Sequence, residues 1–159
     1  MGRLESWGLL ELQRESLCQR IVDECATGIL YADRDGRVRL WNGGCEQIFG
    51  WTAAETLGQS MDMIIPEKHR PRHWEGWDAV MKSGVTKYGH EPLSVPALTK
   101  DGRRVSIEFN IVLLRDAGGQ VQGAAAIIQD VSARWERDKA LKQKLAALEA
   151  QIKSAVASK

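Results

Sequence analysis

Three histidines, His69, His73 and His90, are the side chains of this 159-residue chain best suited to holding a metal or a polar ligand. Two of them fall in Ile64-Ile65-Pro66-Glu67-Lys68-His69-Arg70-Pro71-Arg72-His73-Trp74-Glu75-Gly76-Trp77, beside two tryptophans and two prolines. A neutral imidazole offers a lone pair near pH 7 and is the commonest protein ligand for a transition metal. His69 and His73 stand four residues apart, so a shared helix face would point both at one zinc ion. A helix that opens at Pro71 leaves His69 outside, and no third ligand is near in sequence. His73 is the candidate.

The element that must carry His73 is a helix from Pro71 to Ser83, with Gly84 at the stop position. Trp74, Trp77, Val80 and Met81 recur on it at helical spacing. His73, Trp77, Val80 and Gly84 share one stripe, which turns the imidazole towards whatever the helix packs against. Glu67 to Arg70 read as a solvated entrance to the helix.

Short strands precede it. Gly28 to Ala32 and Arg37 to Trp41 are joined by Asp33-Arg34-Asp35-Gly36, a hairpin turn in which Asp-Gly is the strongest local signal. Asn42 caps a short helix over Gly43 to Phe49, closed by Gly50, and Thr52 to Glu55 form a capping box opening another, ended by Gly58. Three strands follow the long helix. Tyr88 to Leu98 contains Pro92 and Pro96, so it is expected at a sheet edge or with a bulge. Val105 to Leu114 alternates apolar and polar residues, and Val121 to Val131 follows the turn Asp116 to Gly119. Two strands, short helices, one longer helix and three strands make an α+β domain, an antiparallel sheet with its helices on one face.

Amphipathic helices flank this core. Residues 4 to 25 carry Leu10, Leu17, Ile21 and Cys25 on one face. Beyond Ser132, Leu141, Leu145, Leu148, Ile152 and Ala155 are spaced 4, 3, 4 and 3, a heptad seam. The seam fits a parallel dimer stalk, with a single helix folded back on the domain as the alternative.

Composition narrows the classes. The chain is 43% apolar and 27% charged, with a formal charge of +1. That balance gives no electrostatic case for nucleic acid or an anionic membrane. The N-terminus has no signal-peptide pattern, and no apolar run approaches a membrane span. Cys18, Cys25 and Cys45 form no C-x-x-C pair, consistent with a reduced cytoplasmic setting. No nucleophile–base constellation or phosphate loop is present, so the chain does not read as an enzyme.

Residues 28 to 132 resemble a PAS domain. The carrying residues are Gly28-Ile29-Leu30, Asp33 and Gly36, Asn42, Glu46-Gln47-Ile48-Phe49-Gly50-Trp51, Glu55, Leu57-Gly58, Lys100-Asp101-Gly102 and Asp130-Val131-Ser132. The resemblance implies a five-stranded sensory and dimerising module with a guest held between the sheet and the long helix. It also implies that the final Asp and Ser tie the sheet to an output helix. The organisation is then a flanking helix (1–27), the PAS domain (28–132) and a coiled-coil signalling helix (133–159).

Pro66 to Gly102 is most similar to the haem-binding PAS domains of bacterial oxygen sensors, the FixL and Dos types. That resemblance puts His73 at the proximal ligand of a b-type haem, with Phe109 and Ile111 on the distal side and Leu93 and Ile107 as apolar wall, while Trp77 reads as core and subpocket lining. It places Lys87 against a haem propionate and a diatomic gas or the redox state as the signal. Leu93 stands where that branch has an oxygen-stabilising arginine, and Glu91 where the Dos type has a methionine ligand. His90 is the candidate sixth ligand if the strand bulges at Pro92. Two alternatives stay open: a ligand-free interaction module, its cavity filled by Phe109, Ile107, Trp77 and Met81, and a PAS domain binding flavin or a metabolite. The photoreceptor flavin type needs a reactive cysteine in its own motif, where Cys45 does not sit. In every case the expected partner is a second copy through the flanking helices, with the downstream output protein unspecified.

Overall fold

The computed structural model describes residues 14–157. Of the N-terminal helix expected over residues 4–25, residues 14–24 are helical (α1), and residues 4–13 lie outside the described residues.

Five strands form one antiparallel sheet. They are β1 (Gly28–Asp33), β2 (Val38–Trp41), β3 (Leu93–Leu98), β4 (Arg104–Arg115) and β5 (Val121–Asp130), in the order β2-β1-β5-β4-β3. The first hairpin turns because Asp33 Oδ1 accepts from the amides of Asp35 (3.1 Å) and Arg37 (3.0 Å), while Gly36 takes φ +73°. The proline-bearing strand is an edge strand, as its composition predicts, but it is shorter than Tyr88–Leu98. Lys87–Gly89 is instead a 3-10 turn, capped by Thr86 Oγ1, which accepts from Tyr88 N at 3.2 Å. Pro92 has no N–H to offer a ladder, so pairing begins only at Leu93 opposite Phe109.

Between β2 and β3 the chain forms α2 (Gly43–Phe49), α3 (Ala53–Thr56), 3-10 turns at Met61–Met63 and Glu67–His69, and α4 (Arg70–Ser83). The cap at Asn42 does more than start α2. Its Oδ1 accepts from Cys45 N (3.0 Å) and Ile29 N (2.8 Å), and its Nδ2 donates to Val22 O (2.8 Å) and Thr27 O (3.0 Å). One buried amide thus joins the end of α1, the start of β1 and the start of α2. The last helix, α5, runs Ser132–Ala157.

The sheet's inner face carries the core. Leu30, Ala32, Val105, Ile107, Ala124 and Ile128 are buried there, with Val38, Trp41, Cys45, Phe49, Met61 and Ile64 from β2 and the helical side. The sheet itself gives the central inner face small residues, Ala32, Ala124 and Ala126, while bulk comes from the α4 side.

Candidate functional site

α4 lies across the sheet from one hairpin turn to another, and specific contacts fix it there. At its start, Trp74 Nε1 donates to Asp62 Oδ1 at 2.8 Å and the indole presses on Gly36. A Cβ at Gly36 would come within 2.3 Å of that ring, so only glycine admits it. One turn on, Trp77 Nε1 donates to Arg34 O at 3.0 Å. Met81 packs on Val121 and Ala124, and the Arg115 guanidinium donates to Gly84 O beyond the helix end. Gly84 takes φ +67° and its amide donates to Val80 O at 2.8 Å, which terminates the helix. The helix begins at Arg70, one residue before Pro71, with His69 in the preceding 3-10 turn.

His73 sits on this fixed helix between two indoles. Its ring meets Trp74 edge-on, centroids 4.8 Å apart at 82°, and lies nearly parallel to Trp77 at 6.1 Å and 26°. Nδ1 is buried and has no hydrogen-bond partner among the described residues. Burial holds the imidazole below its ordinary titration range, and the Asp62 carboxylate only partly offsets this. The ring is therefore neutral near pH 7, with an unsatisfied polar atom inside the fold. Buried polar atoms are nearly always paired, so this one marks a place for a partner.

α4 packs on the inner face of the sheet through Met81, Val121 and Ala124. Leu93 pairs with Phe109, Phe109 with Ile128, and Ile111 with Ala126, so these side chains share the inner face. Leu93, Val95, Phe109, Ile111, Leu113 and Ala126 are half-buried. Ile107, two residues earlier on β4, is buried with 4% exposure. The inner face is thus buried at Leu30, Ala32, Ile107 and Ile128 and half-buried from Leu93 and Val95 across Phe109 and Ile111 to Leu113.

Two residues assigned from sequence stand apart from this group. Lys87 is exposed in the 3-10 turn before β3, its ammonium 5.2 Å from the Tyr88 ring centroid. His90 is exposed on the loop, ahead of the first paired residue of β3. The bulged strand at Pro92 on which a ligand role for His90 depended is not formed. Among the described residues no group of three His, Cys, Asp or Glu side chains is placed to hold a metal ion, so His69 and His73 have no third zinc ligand there.

Sequence reasoning missed Asp62 and the reach of Trp74. Asp62 orients Trp74 and partly offsets the effect of burial on His73, yet lies in a 3-10 turn with no periodic signal. Trp74 is half-buried, and its covered part packs against the main core. Trp51 Nε1 is a second buried ring nitrogen without a partner among the described residues, and Lys100 stands over that ring at 5.2 Å.

A family model described as the PAS fold matches residues 22–136. This chain belongs to the PAS family. Its fold is shared with the PAS domain of a Colwellia psychrerythraea protein, 25% identical with a TM-score of 0.61 over 74% of this chain and 97% of that one. It is also similar to an RNA-binding light-oxygen-voltage receptor, 25% identical at a TM-score of 0.68 over 86% of this chain and 38% of the receptor. Among curated proteins, an uncharacterized protein of Azorhizobium caulinodans is 27% identical across 89% of this chain. Sensor protein FixL of Bradyrhizobium diazoefficiens is 30% identical over 60 residues, 38% of this chain. The matched segments span only 19% and 12% of those two proteins. The PAS domain here is a sensory and signalling module, and no helix among the described residues is long and apolar enough to cross a membrane.

The module's exit is built for mechanical continuity. Asp130 Oδ1 accepts from Ser132 N, and Ser132 Oγ accepts from Ser106 N, each at 2.9 Å. Arg134 then donates to Glu108 Oε1 at 2.8 Å, and Ser94 donates to the same oxygen at 3.0 Å. The Arg134 bond, and after it the Ser94 bond, hold the Glu108 carboxyl below the ordinary glutamate range. The start of α5 is thereby bound to β4, and through Glu108 to β3.

Proposed function

We propose that this PAS domain is a cytoplasmic bacterial sensor that holds a b-type haem through His73 and reads a diatomic gas (O2, CO or NO) or the iron's redox state. The observation that carries the reading is the half-buried imidazole of His73 on the fixed helix α4, with its Nδ1 buried and without a partner among the described residues. His73 supplies a neutral imidazole, the form that ligates iron, because burial disfavours its charged form. Trp74 and Trp77 fix the ring's orientation. Phe109, Ile111 and Leu93 supply the apolar wall of the gas side, and Ile107 closes its inner end. When bound, the iron supplies the site for the gas or the electron. This chain's own residues exclude water, orient the ligand and carry its effect along β4 to Glu108, Arg134 and α5. Lys87 would reach a propionate only by leaving the Tyr88 ring, and His90 would ligate only after a rearrangement before β3. The sensor works as a homodimer through its flanking helices and passes its state to a downstream protein or domain, with no role for nucleic acid or membrane.

One observation favours a second reading, a ligand-free pairing module. Trp77 packs both against the main core and against the group of Met81, Val121 and Ala124, and it is bonded to Arg34 O, which ties α4 down without a guest.

Haem supplementation during expression, followed by the visible spectrum, decides between them. The expected result is a Soret band that His73→Ala abolishes while circular dichroism stays unchanged. A folded wild-type protein that takes up no haem ends the proposal. A yellow protein with flavin absorbance would instead support the third class of guest.

A further inference from the structure

We propose that Gly76 decides which guests reach His73: by carrying no side chain, it leaves room on α4 beside the imidazole for the edge of a wide, flat ring system of porphyrin size. The inference rests on the haem reading above and names the residue that selects for that guest. Gly76 lies inside α4, where glycine costs a helix conformational entropy. The chain's own fold does not require it. Its φ is not positive, and a Cβ there would meet no atom within 4 Å. Gly36, beneath Trp74, is the contrast, since both its backbone and the neighbouring indole demand glycine.

Position on the helix supplies a reason. Gly76 follows His73 by three residues and precedes Val80 by four, so the three share one flank of α4. Trp74 covers Gly36 and Trp77 bonds to Arg34 O, both in the first hairpin turn. Val80 instead packs, with Ile111 and Leu113 of β4, against Met81, Val121 and Ala124. The flank of His73, Gly76 and Val80 is therefore the one turned towards β4, where Phe109 and Ile111 are half-buried. Long helical side chains lean towards the N-terminus, so one at position 76 would lie over the turn that carries His73. Gly76 itself is exposed. Nδ1 of His73 is enclosed without a partner, whereas Nε2 makes no hydrogen bond among the described residues and is not enclosed. Glycine at 76 keeps that imidazole approachable.

Thermal melts and haemin titration of the full chain, purified without added haem, test the role. Gly76→Ala should raise the melting temperature of the haem-free protein by about 2–4 °C, because alanine suits a helix interior better. The same change should weaken haemin binding by roughly two- to fivefold, and Gly76→Leu by at least roughly tenfold. Asp78→Leu, on the opposite flank of α4, should leave haemin affinity unchanged. Equal haemin affinity in the wild type and both Gly76 variants overturns the role of Gly76 and leaves the haem reading in place. A wild type that binds no haemin overturns both. A Gly76→Ala chain that melts below the wild type would assign the glycine to the fold itself, and that too overturns the proposal.

Discussion

The imidazole of His73 lies 6.1 Å from the indole of Trp77, one helical turn on, with the two planes 26° from parallel. Trp77 is in turn bonded to Arg34 O in the first hairpin turn. The orientation of the candidate ligand is thereby coupled to the tip of the sheet, not only to its own helix.

The low titration range of His73 gives stability a pH dependence of definite sign. The unfolded imidazole titrates near 6.5 and the folded one below that, so the unfolded chain binds the extra proton first. This contribution is fully present above pH 6.5 and is lost as pH falls from there through the folded value. Urea unfolding between pH 8 and pH 5, on protein purified without added haem, should show the decline. His73→Gln should flatten it. An unchanged slope would mean that the ring is protonated as easily inside as outside.

Gly36→Ala should cost about 2–4 kcal/mol, from a left-handed backbone position and from overlap with Trp74. Thermal melts measure the loss. Pairing it with Trp74→Phe should recover part of the overlap term but none of the backbone term.

Asn42→Ala should destabilise by about 2–4 kcal/mol, more than a simple helix cap, because it also removes the side-chain bonds to Ile29 N and to the carbonyls of Val22, Cys25 and Thr27. Amide exchange at Cys45 and Ile29 should accelerate together. Acceleration at Cys45 alone would reduce the residue to a cap.

Ser132→Ala should loosen the start of α5 and leave the sheet intact, at a cost of about 1 kcal/mol. The Ser106 amide should then exchange faster than its neighbours on β4. Acidification should act on the adjacent Arg134–Glu108 bond: its contribution is present above the ordinary glutamate range and lost as pH falls through the lowered folded value.

Cys45 should resist thiol reagents in the native protein, since burial pushes its thiol up to about 12 and its side chain is fully covered. Exposed Cys18 should react at least roughly a hundredfold faster, and denaturant should remove the difference. Rapid labelling of Cys45 without denaturant would show that α2 opens easily.

Much of the fold was legible because it is written locally. Asp33 and Gly36 make their turn with each other's neighbours, Asn42 caps the helix that starts beside it, and the alternation from Val105 to Leu113 needs only the period of a strand. The edge position of β3 followed from its prolines, although the length of that strand did not. A 3-10 turn capped by Thr86 competes with pairing before Pro92, and residue types alone do not decide that contest.

The candidate site divides along the same line. Sequence by itself determined that His73 is on a helix, that Trp77 shares its stripe, and that Phe109 and Ile111 lie on one face of a strand, because helical and strand periods are properties of short segments. Only the tertiary structure decided that Nδ1 is left without a partner, that Asp62 stands near it, and that Ala126 lies beside Ile111 on a half-buried part of the sheet. Those facts depend on where α4 settles across a sheet assembled from distant residues. That position is set by Trp74 against Gly36 and Met81 against Val121, contacts between parts of the chain that no local pattern connects.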